Sequence, residues 1–203
     1  MSIDSARPNS CRKNRSGIYS HFFLDWTAGP LEIGRERSEH MRFNLVDRIT
    51  EWQSGKSLKG IKVLTLAEEY LADHFPGFPV MPGVLMLEAV VEASAWLWRI
   101  TSDFEHSVIV MREAKNVKYG SFMQPGNTME IAVELVKQEG DLATFRGKGS
   151  VQGGAQTISA QVVLTAYNIR DKNPALGGLD QKLSAHWRER FAWLSATAAG
   201  ASK

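Results

Sequence analysis

A histidine and a glutamate stand at the two ends of an unusual stretch of this sequence, His74 and Glu88, with thirteen residues between them. Histidine is the side chain best suited to moving protons near neutral pH. A carboxylate among apolar neighbours costs several kcal/mol, roughly, unless it is paired, hydrogen-bonded or protonated. These residue types predict a proton-transfer site, with His74 as the base and Glu88 as the acid.

The stretch between them has two halves of different character. The first contains prolines at positions 76, 79 and 82, which each remove a backbone donor and fix φ, so a stiff loop is predicted. The second, residues 84–98, is nearly all apolar or small and predicts one buried helix. Pro82 and Gly83 stand where that helix begins. The free N–H groups and the positive end of the dipole at such a start suit an oxyanion developing beside a carbonyl.

The same residues also admit a purely structural interpretation. The histidine would then be a hydrogen-bonded loop residue, and the glutamate would be held by backbone donors. The pattern of residue types alone leaves both interpretations open.

The stretch reads His74-Phe75-Pro76-Gly77-Phe78-Pro79-Val80-Met81-Pro82-Gly83-Val84-Leu85-Met86-Leu87-Glu88-Ala89. As a whole it resembles the signature of the bacterial β-hydroxyacyl-acyl-carrier-protein dehydratases of fatty-acid synthesis. Weaker similarity extends over residues 41–166, including a first-strand motif at residues 43–49 that lacks the usual proline. Residues 122–127 resemble the family's Pro-Gly-Asp turn, with Asn127 in place of Asp.

The resemblance implies an α+β hotdog fold, in which an antiparallel sheet wraps around one long central helix. It also implies that His74 and Glu88 are the catalytic pair, and that the Gly83 N–H polarises the thioester carbonyl. Phe75 and Pro82 are expected beside the substrate. A Glu, rather than an Asp, is similar to the branch that dehydrates without dedicated double-bond isomerisation.

The activity implied is dehydration of a β-hydroxyacyl thioester to the trans-2-enoyl thioester, on acyl carrier protein or another acyl thioester. The family needs no metal or organic cofactor, and none is expected here. In the family the histidine of one subunit faces the acid of its partner, so a homodimer is expected, with a trimer of dimers left open. The predicted contacts with an acidic carrier, which are otherwise a solvated charged face, are Arg112, Lys115, Lys118, Arg146 and Lys148.

Glu92 departs from the family, whose helix usually carries Gln one turn after the acid. Glu88 and Glu92 are four residues apart, so their side chains are neighbours on one helix face. Two sheltered carboxylates resist joint ionisation, so the pair is predicted to share a proton. Glu92→Gln should then keep activity and move the acid-limb pKa of the pH–rate profile downward. The alternative is that Glu92 turns to a basic partner.

Two other functions remain open on the same fold. A thioester hydrolase would need a water placed for attack on the carbonyl, which Glu88 and Glu92 are able to orient. A non-catalytic acyl-binding homologue would explain the departure at Glu92, and the intact pair of His74 and Glu88 argues against it.

Composition is ordinary for a globular protein of 203 residues, with a net charge of +2 that does not argue for nucleic acid. Cys11 is the only cysteine, so no intrachain disulfide is possible. No apolar run is long enough to predict a membrane span, and no secretory signal stands at the start. These observations predict a cytoplasmic protein.

The chain divides into three predicted parts. Residues 1–40 are expected to be a partly disordered extension with a basic tail and with His21 and His40 at the surface. Residues 41–168 are expected to form the hotdog domain, with a lead-in to the motif at residues 66–71. Strands are predicted at residues 43–52, 58–66, 107–117, 129–135, 142–151 and 157–167.

The last part, residues 169–203, is predicted to be a linker followed by an amphipathic helix. Leu183, Trp187, Phe191 and Leu194 share one face of that helix, which favours docking on the sheet or a neighbouring subunit over membrane attachment. The pair Gly153-Gly154 predicts a two-residue hairpin loop. Together with the glycines at 147 and 149, it lies within a hairpin, which excludes a phosphate-binding loop.

Overall fold

The structure is a computed structural model that describes residues 44–196. The predictions for the N-terminal extension, including those for its basic tail, His21 and His40, lie outside the described residues. The same holds for residues 197–203 at the end of the predicted C-terminal part.

Six antiparallel strands form one sheet, and a helix of 19 residues, α1 (Gly83–Thr101), packs against it. The strand order across the sheet is β1-β2-β4-β5-β6-β3. This arrangement confirms the predicted α+β fold with one long helix. The strands are β1 (Arg48–Gln53), β2 (Ser57–Val63), β3 (Val108–Tyr119), β4 (Thr128–Glu139), β5 (Leu142–Val151) and β6 (Gln156–Tyr167).

Most predicted bounds differ from the structure by one to five residues, and three of the differences have an identifiable local reason. The first strand begins at Arg48 instead of residue 43, because the Leu45 N–H bonds to a side chain of α1 rather than to a neighbouring strand. The second ends at Val63, since the next residue pairs with the turn at Asn127. The hairpin between β5 and β6 has four loop residues, 152–155, instead of two, with Gly153 at φ +66.

The core lies between α1 and the inner face of the sheet. α1 contacts β2, β3, β4, β5 and β6, and its face toward them contains Val90, Ala93 and Leu97, each fully buried. β5 passes so close to α1 that a Cβ placed on Gly147 would lie 2.3 Å from Cγ1 of Val90. Glycine at this position therefore sets how closely the helix approaches the sheet.

A second helix, α2 (Gly177–Leu194), follows two short 3₁₀ helices at Ile169–Asp171 and Pro174–Leu176. It lies where the sequence predicts the amphipathic helix, and Leu194, Trp187 and Phe191 pack against the core. Asp180 fixes its first turn, because the carboxylate accepts hydrogen bonds from the Ser107 hydroxyl and from the backbone at 169 and 170. No helix within residues 44–196 is long and apolar enough to cross a membrane.

Candidate active site

His74 lies in the proline-rich loop with its ring held in one orientation. Its Nδ1 is 2.9 Å from the carbonyl oxygen of Val80. A carbonyl oxygen only accepts, so Nδ1 must carry the proton and donate it. The other ring nitrogen, Nε2, is then the unprotonated one in the neutral ring and is the atom available to act as a base.

The loop that carries His74 is shaped by local contacts. Phe78 N–H donates to the Phe75 carbonyl at 2.7 Å, closing a turn in which Phe75 has a φ of 56°. The Phe75 ring is 57% exposed and contacts the His74 ring edge to face, with centroids 4.3 Å apart. Met81 N–H donates to the Met123 carbonyl, so the loop is tied to the turn before β4.

The helix start follows directly. Pro82 precedes the first residue of α1, and its carbonyl accepts from the N–H groups of Leu85 and Met86. The earlier N–H groups of a helix have no intrahelical acceptor, and that of Gly83 is among them. A Cβ on Gly83 would lie 3.0 Å from the ring of Tyr119, so only glycine fits under that ring without displacing it.

Glu88 projects from α1 one and a half turns later. Its residue surface is exposed in the single chain, yet partial desolvation beside α1 raises the pKa of its carboxyl above the usual value. A carboxyl of this kind keeps its proton to a higher pH than an ordinary glutamate, which suits a general acid.

Glu92, one turn further, is more deeply placed. Its Oε2 accepts a hydrogen bond from the Leu45 N–H at 2.7 Å. Burial raises the pKa of Glu92, against the opposing effects of that N–H, the Trp96 side chain and the charge of Arg190, and the charge of Glu88 adds the smallest rise. The two carboxyls are not hydrogen-bonded to each other in the described part of the chain, so the structure gives Glu92 its own partners.

The structure brings the predicted residues together only in part. Glu88 and Glu92 line a cavity of about 410 Å³ between α1 and α2, and His74 is not among its lining residues. Within residues 44–196, no hydrogen bond, ion pair or ring contact joins His74 to Glu88. A single chain therefore presents the base and the acid as two separate groups.

The last strand of the sheet, β3, is exposed along its outer edge. In the described residues its twelve residues pair with β6 only. Val110 and Met111 on this strand are 43% and 41% exposed. An unpaired strand edge of this length is a surface on which a further strand pairs readily.

The basic residues predicted to meet a carrier lie close together on the sheet. Arg146 of β5 and Lys115 of β3 are both in register with Gln161 of β6, which lies between them. Lys148 and Lys118 flank Ser159 in the same way. These four side chains are exposed and lie on one face of the sheet, here called the basic face and defined as Lys115, Lys118, Arg146 and Lys148. Lys115 also forms an ion pair with Glu113 at 3.0 Å. Arg112 lies further along β3, beside a bulge.

The described residues contain no cluster of three His, Cys, Asp or Glu side chains arranged to hold a metal ion. Sequence reasoning missed the contribution of α2 to the cavity, where Arg190 donates to the Asn44 side chain at 2.6 Å. It also missed Arg99, a guanidinium only 6% exposed in the last turn of α1. The available signal was spacing, because Arg99 is eleven residues after Glu88 and falls on the same helix face.

Comparison with known proteins places this arrangement among dehydratases. The family model described as the FabA-like domain matches residues 38–160. The chain is 35% identical over 136 residues to the 3-hydroxyacyl-[acyl-carrier-protein] dehydratase FabZ of Janthinobacterium sp. (strain Marseille), covering 66% of this chain and 86% of that protein. It is 36% identical over 132 residues to the FabZ of Rickettsia felis, covering 64% of this chain and 88% of that protein.

Among solved structures, the dehydratase heterocomplex ApeI:P from Xenorhabdus doucetiae is similar in fold, with a TM-score of 0.53 at 14% sequence identity. That match covers 66% of this chain and 90% of the other. It confirms the hotdog arrangement of sheet and helix. The helix α2 lies beyond the residues matched by the family model.

Proposed function

The chain belongs to the family of FabA-like domains, and on that premise we propose that it removes water from a 3-hydroxyacyl thioester to give the trans-2-enoyl thioester. It is an enzyme, a 3-hydroxyacyl-[acyl-carrier-protein] dehydratase of fatty-acid synthesis. The observation that carries this conclusion is the alignment with a dehydratase over 86% of that protein's length, which includes the whole segment from His74 to Glu88.

His74 is the base in the proposed reaction. Its Nδ1–H is fixed on the Val80 carbonyl, which leaves Nε2 to remove a proton from the carbon next to the thioester carbonyl. The electron pair of the broken C–H bond moves onto the carbonyl, giving an enolate-like oxygen. The Gly83 N–H and the positive end of α1 stabilise that oxygen.

Glu88 is the acid. Its raised pKa keeps the carboxyl protonated to a higher pH than in an ordinary glutamate. The protonated carboxyl gives its proton to the hydroxyl on the next carbon as the C–O bond breaks. The enolate electron pair forms the C=C bond and one water molecule leaves. Before the next turnover, His74 releases its extra proton to solvent and Glu88 takes up a proton from solvent.

The complete site is proposed to lie in a homodimer. The separation of His74 from Glu88 in one chain supports a site in which each subunit supplies one group. The exposed edge of β3 supports pairing with the same strand of a second copy, which would cover Val110 and Met111. A trimer of such dimers is the larger assembly expected for the family.

The proposed carrier of the acyl chain is acyl carrier protein. Its acidic surface complements the basic face of Lys115, Lys118, Arg146 and Lys148. Tyr119, whose ring covers Gly83, follows Lys118 in β3. Because consecutive strand residues point to opposite faces, the basic face lies on the side of the sheet away from α1.

A thioesterase on the same fold is the competing function, with Glu88 and Glu92 orienting water. One assay separates the two: the purified protein is given a 3-hydroxyacyl thioester, and enoyl absorbance and free thiol are both followed. Dehydration predicts enoyl product without thiol. Release of thiol at the rate of substrate loss would instead assign hydrolysis, and neither product would leave an acyl-binding role.

A further inference from the structure

The cavity between α1 and α2 follows one face of α1 over three turns. Its α1 lining residues recur at the spacing that puts side chains on a single helix face. Glu88 stands at one end and Arg99 at the other, roughly 16 Å apart along the helix axis at 1.5 Å per residue. This face is made up of Glu88, Val91, Glu92, Ala95, Trp96 and Arg99.

Arg99 is a buried cation to which the described residues offer no hydrogen-bond acceptor. Its side chain lies over the rings of Trp187 and Trp96, with the guanidinium carbon 4.2 Å and 5.3 Å from the ring centroids. Within residues 44–196 it makes no side-chain hydrogen bond or ion pair, and its buried Nε has no partner. Ring stacking supplies attraction but no acceptor for the five N–H donors of a guanidinium.

The charged side chains near the cavity carry an imbalance that one bound anion would neutralise. Arg99 and Arg190 are both cations, and Glu92 interacts electrostatically with each of them. Glu88 lies at the far end of the lining face. Glu92 carries at most one negative charge beside two guanidinium groups, which leaves an excess positive charge at the Arg99 end.

The chemistry along the cavity changes in a definite order. A proton donor is followed by the apolar side chains of Val91, Ala95 and Trp96, and then by an unpaired guanidinium. A matching ligand has a hydroxyl at one end, an apolar chain and an anionic group at the other. Guanidinium binds carboxylates with two parallel hydrogen bonds, which makes a carboxylate the best fit.

We propose that this cavity takes the acyl chain of the substrate and that Arg99 binds a carboxylate at the chain's far end. The inference rests on the proposed function, since it sets the reacting carbons at Glu88. The preferred substrate class is then a 3-hydroxyacyl thioester with an acyl chain that ends in a carboxylate. Trp187 and Arg190 form the α2 wall of the cavity. Because α2 lies outside the residues matched by the family model, the preference for a carboxylate depends on a segment that the family match does not cover.

The test compares paired 3-hydroxyacyl-pantetheine thioesters of several lengths, one member of each pair ending in a carboxylate and the other in a methyl group. The wild type should show a higher kcat/KM for the carboxylate member at one or more lengths. Arg99→Met should lower that preference about tenfold or more, as expected for loss of a charge-assisted hydrogen-bonded pair. Arg190→Gln should lower it in the same direction and guards against an Arg99 variant that fails to fold.

Arg188→Met is the matched control. Arg188 is on the same helix as Arg190 but bonds to Asp103 outside the cavity, at 2.7 Å, so the preference should not change. Equal kcat/KM for both members at every length would overturn the inference and leave dehydration standing. The inference would also be overturned if free adipate, a short dicarboxylate, bound through Arg99 while the enzyme showed no preference between the thioesters. The cavity would then bind a separate ligand.

Calorimetric binding separates the inference from the proposed function. Tighter binding of the carboxylate-ended thioester than of its methyl-ended partner, lost in Arg99→Met, supports the cavity assignment even where neither compound is dehydrated. That outcome would reject the proposed dehydration and support the proposed carboxylate-binding site. Equal binding of the two compounds, together with no turnover, would overturn both.

Discussion

Glu92 Oε2 accepts a hydrogen bond from the Leu45 N–H, which joins α1 to the segment that precedes β1. Leu45 is 1% exposed, so its N–H has little access to water if that acceptor is removed. The side chain that departs from the family pattern at this helix position therefore has a structural partner of its own.

The stability of Glu92→Gln should depend on pH. The folded-state pKa of Glu92 is raised above 4.5, chiefly by burial, so the stability it contributes is full below that value and is lost as pH rises through the folded pKa. Glutamine keeps an oxygen for the Leu45 N–H and carries no charge. We expect Glu92→Gln to be more stable than the wild type near pH 7, with the difference vanishing at lower pH, as measured by denaturant unfolding.

Glu92→Ala is the control for that measurement. It removes the acceptor as well as the charge, so the buried N–H is left unpaired at a cost of about 1–3 kcal/mol. Equal destabilisation by Gln and by Ala near pH 7 would show that the charge of Glu92, and not its oxygen, supports the fold.

The effect of Glu92→Gln on catalysis stays a prediction. Because the charge of Glu88 is the smallest contribution to the raised pKa of Glu92, the coupling between the two carboxyls is weak. We expect activity to be retained, with a small downward shift of the pKa of the catalytic acid in the pH–rate profile. A profile identical to that of the wild type would end the proposal of a shared proton.

The close approach of β5 to α1 gives a separate stability prediction. Gly147→Ala would bring a methyl group to 2.3 Å from Val90 Cγ1, so the helix or the strand must shift. Overpacking of this kind costs about 1–3 kcal/mol in the free energy of unfolding. The double variant with Val90→Ala should recover part of the lost free energy of unfolding. If the free-energy changes of the two single variants simply add, the contact between these residues is contradicted. Gly178→Ala, at an exposed position with open space around it, should not destabilise.

Much of the fold follows from local sequence. Alternating residues such as Met129, Ile131 and Val133 predict the strands of the sheet, and the apolar run after Pro82 predicts α1. The start of the first strand does not follow, because the bond between Leu45 and Glu92 joins residues 47 positions apart. The number of loop residues between β5 and β6 likewise depends on the register of two strands, which glycine spacing alone does not fix.

The candidate site divides in the same way. His74, Gly83 and Glu88 are identified by a contiguous motif, and each has local geometry that suits its proposed role. The Arg99 end of the cavity was missed, because it exists only where α2 packs on α1. Trp187, which contacts both Arg99 and Trp96, is 88 positions from Arg99 along the chain, too far for periodicity to relate them.

The proposed shared site predicts complementation between two inactive variants. A dimer that combines one His74→Ala chain with one Glu88→Ala chain contains one site with both groups intact. Mixing the two after partial unfolding and refolding should restore activity to a fraction of the wild-type level, whereas each refolded alone stays inactive. An active monomer, identified by light scattering coupled to the assay, would contradict the shared site.

The central claim is that His74 and Glu88 carry out the dehydration, and turnover of the purified variants tests it most directly. A 3-hydroxyacyl thioester and its enoyl product would be interconverted by the wild type, His74→Ala and Glu88→Ala, with the rate followed in the hydration direction. Positioned acid–base groups contribute about 10²–10⁴-fold each, so each variant should lose activity by that factor while its thermal unfolding remains cooperative. Wild-type turnover by either folded variant would contradict the assignment.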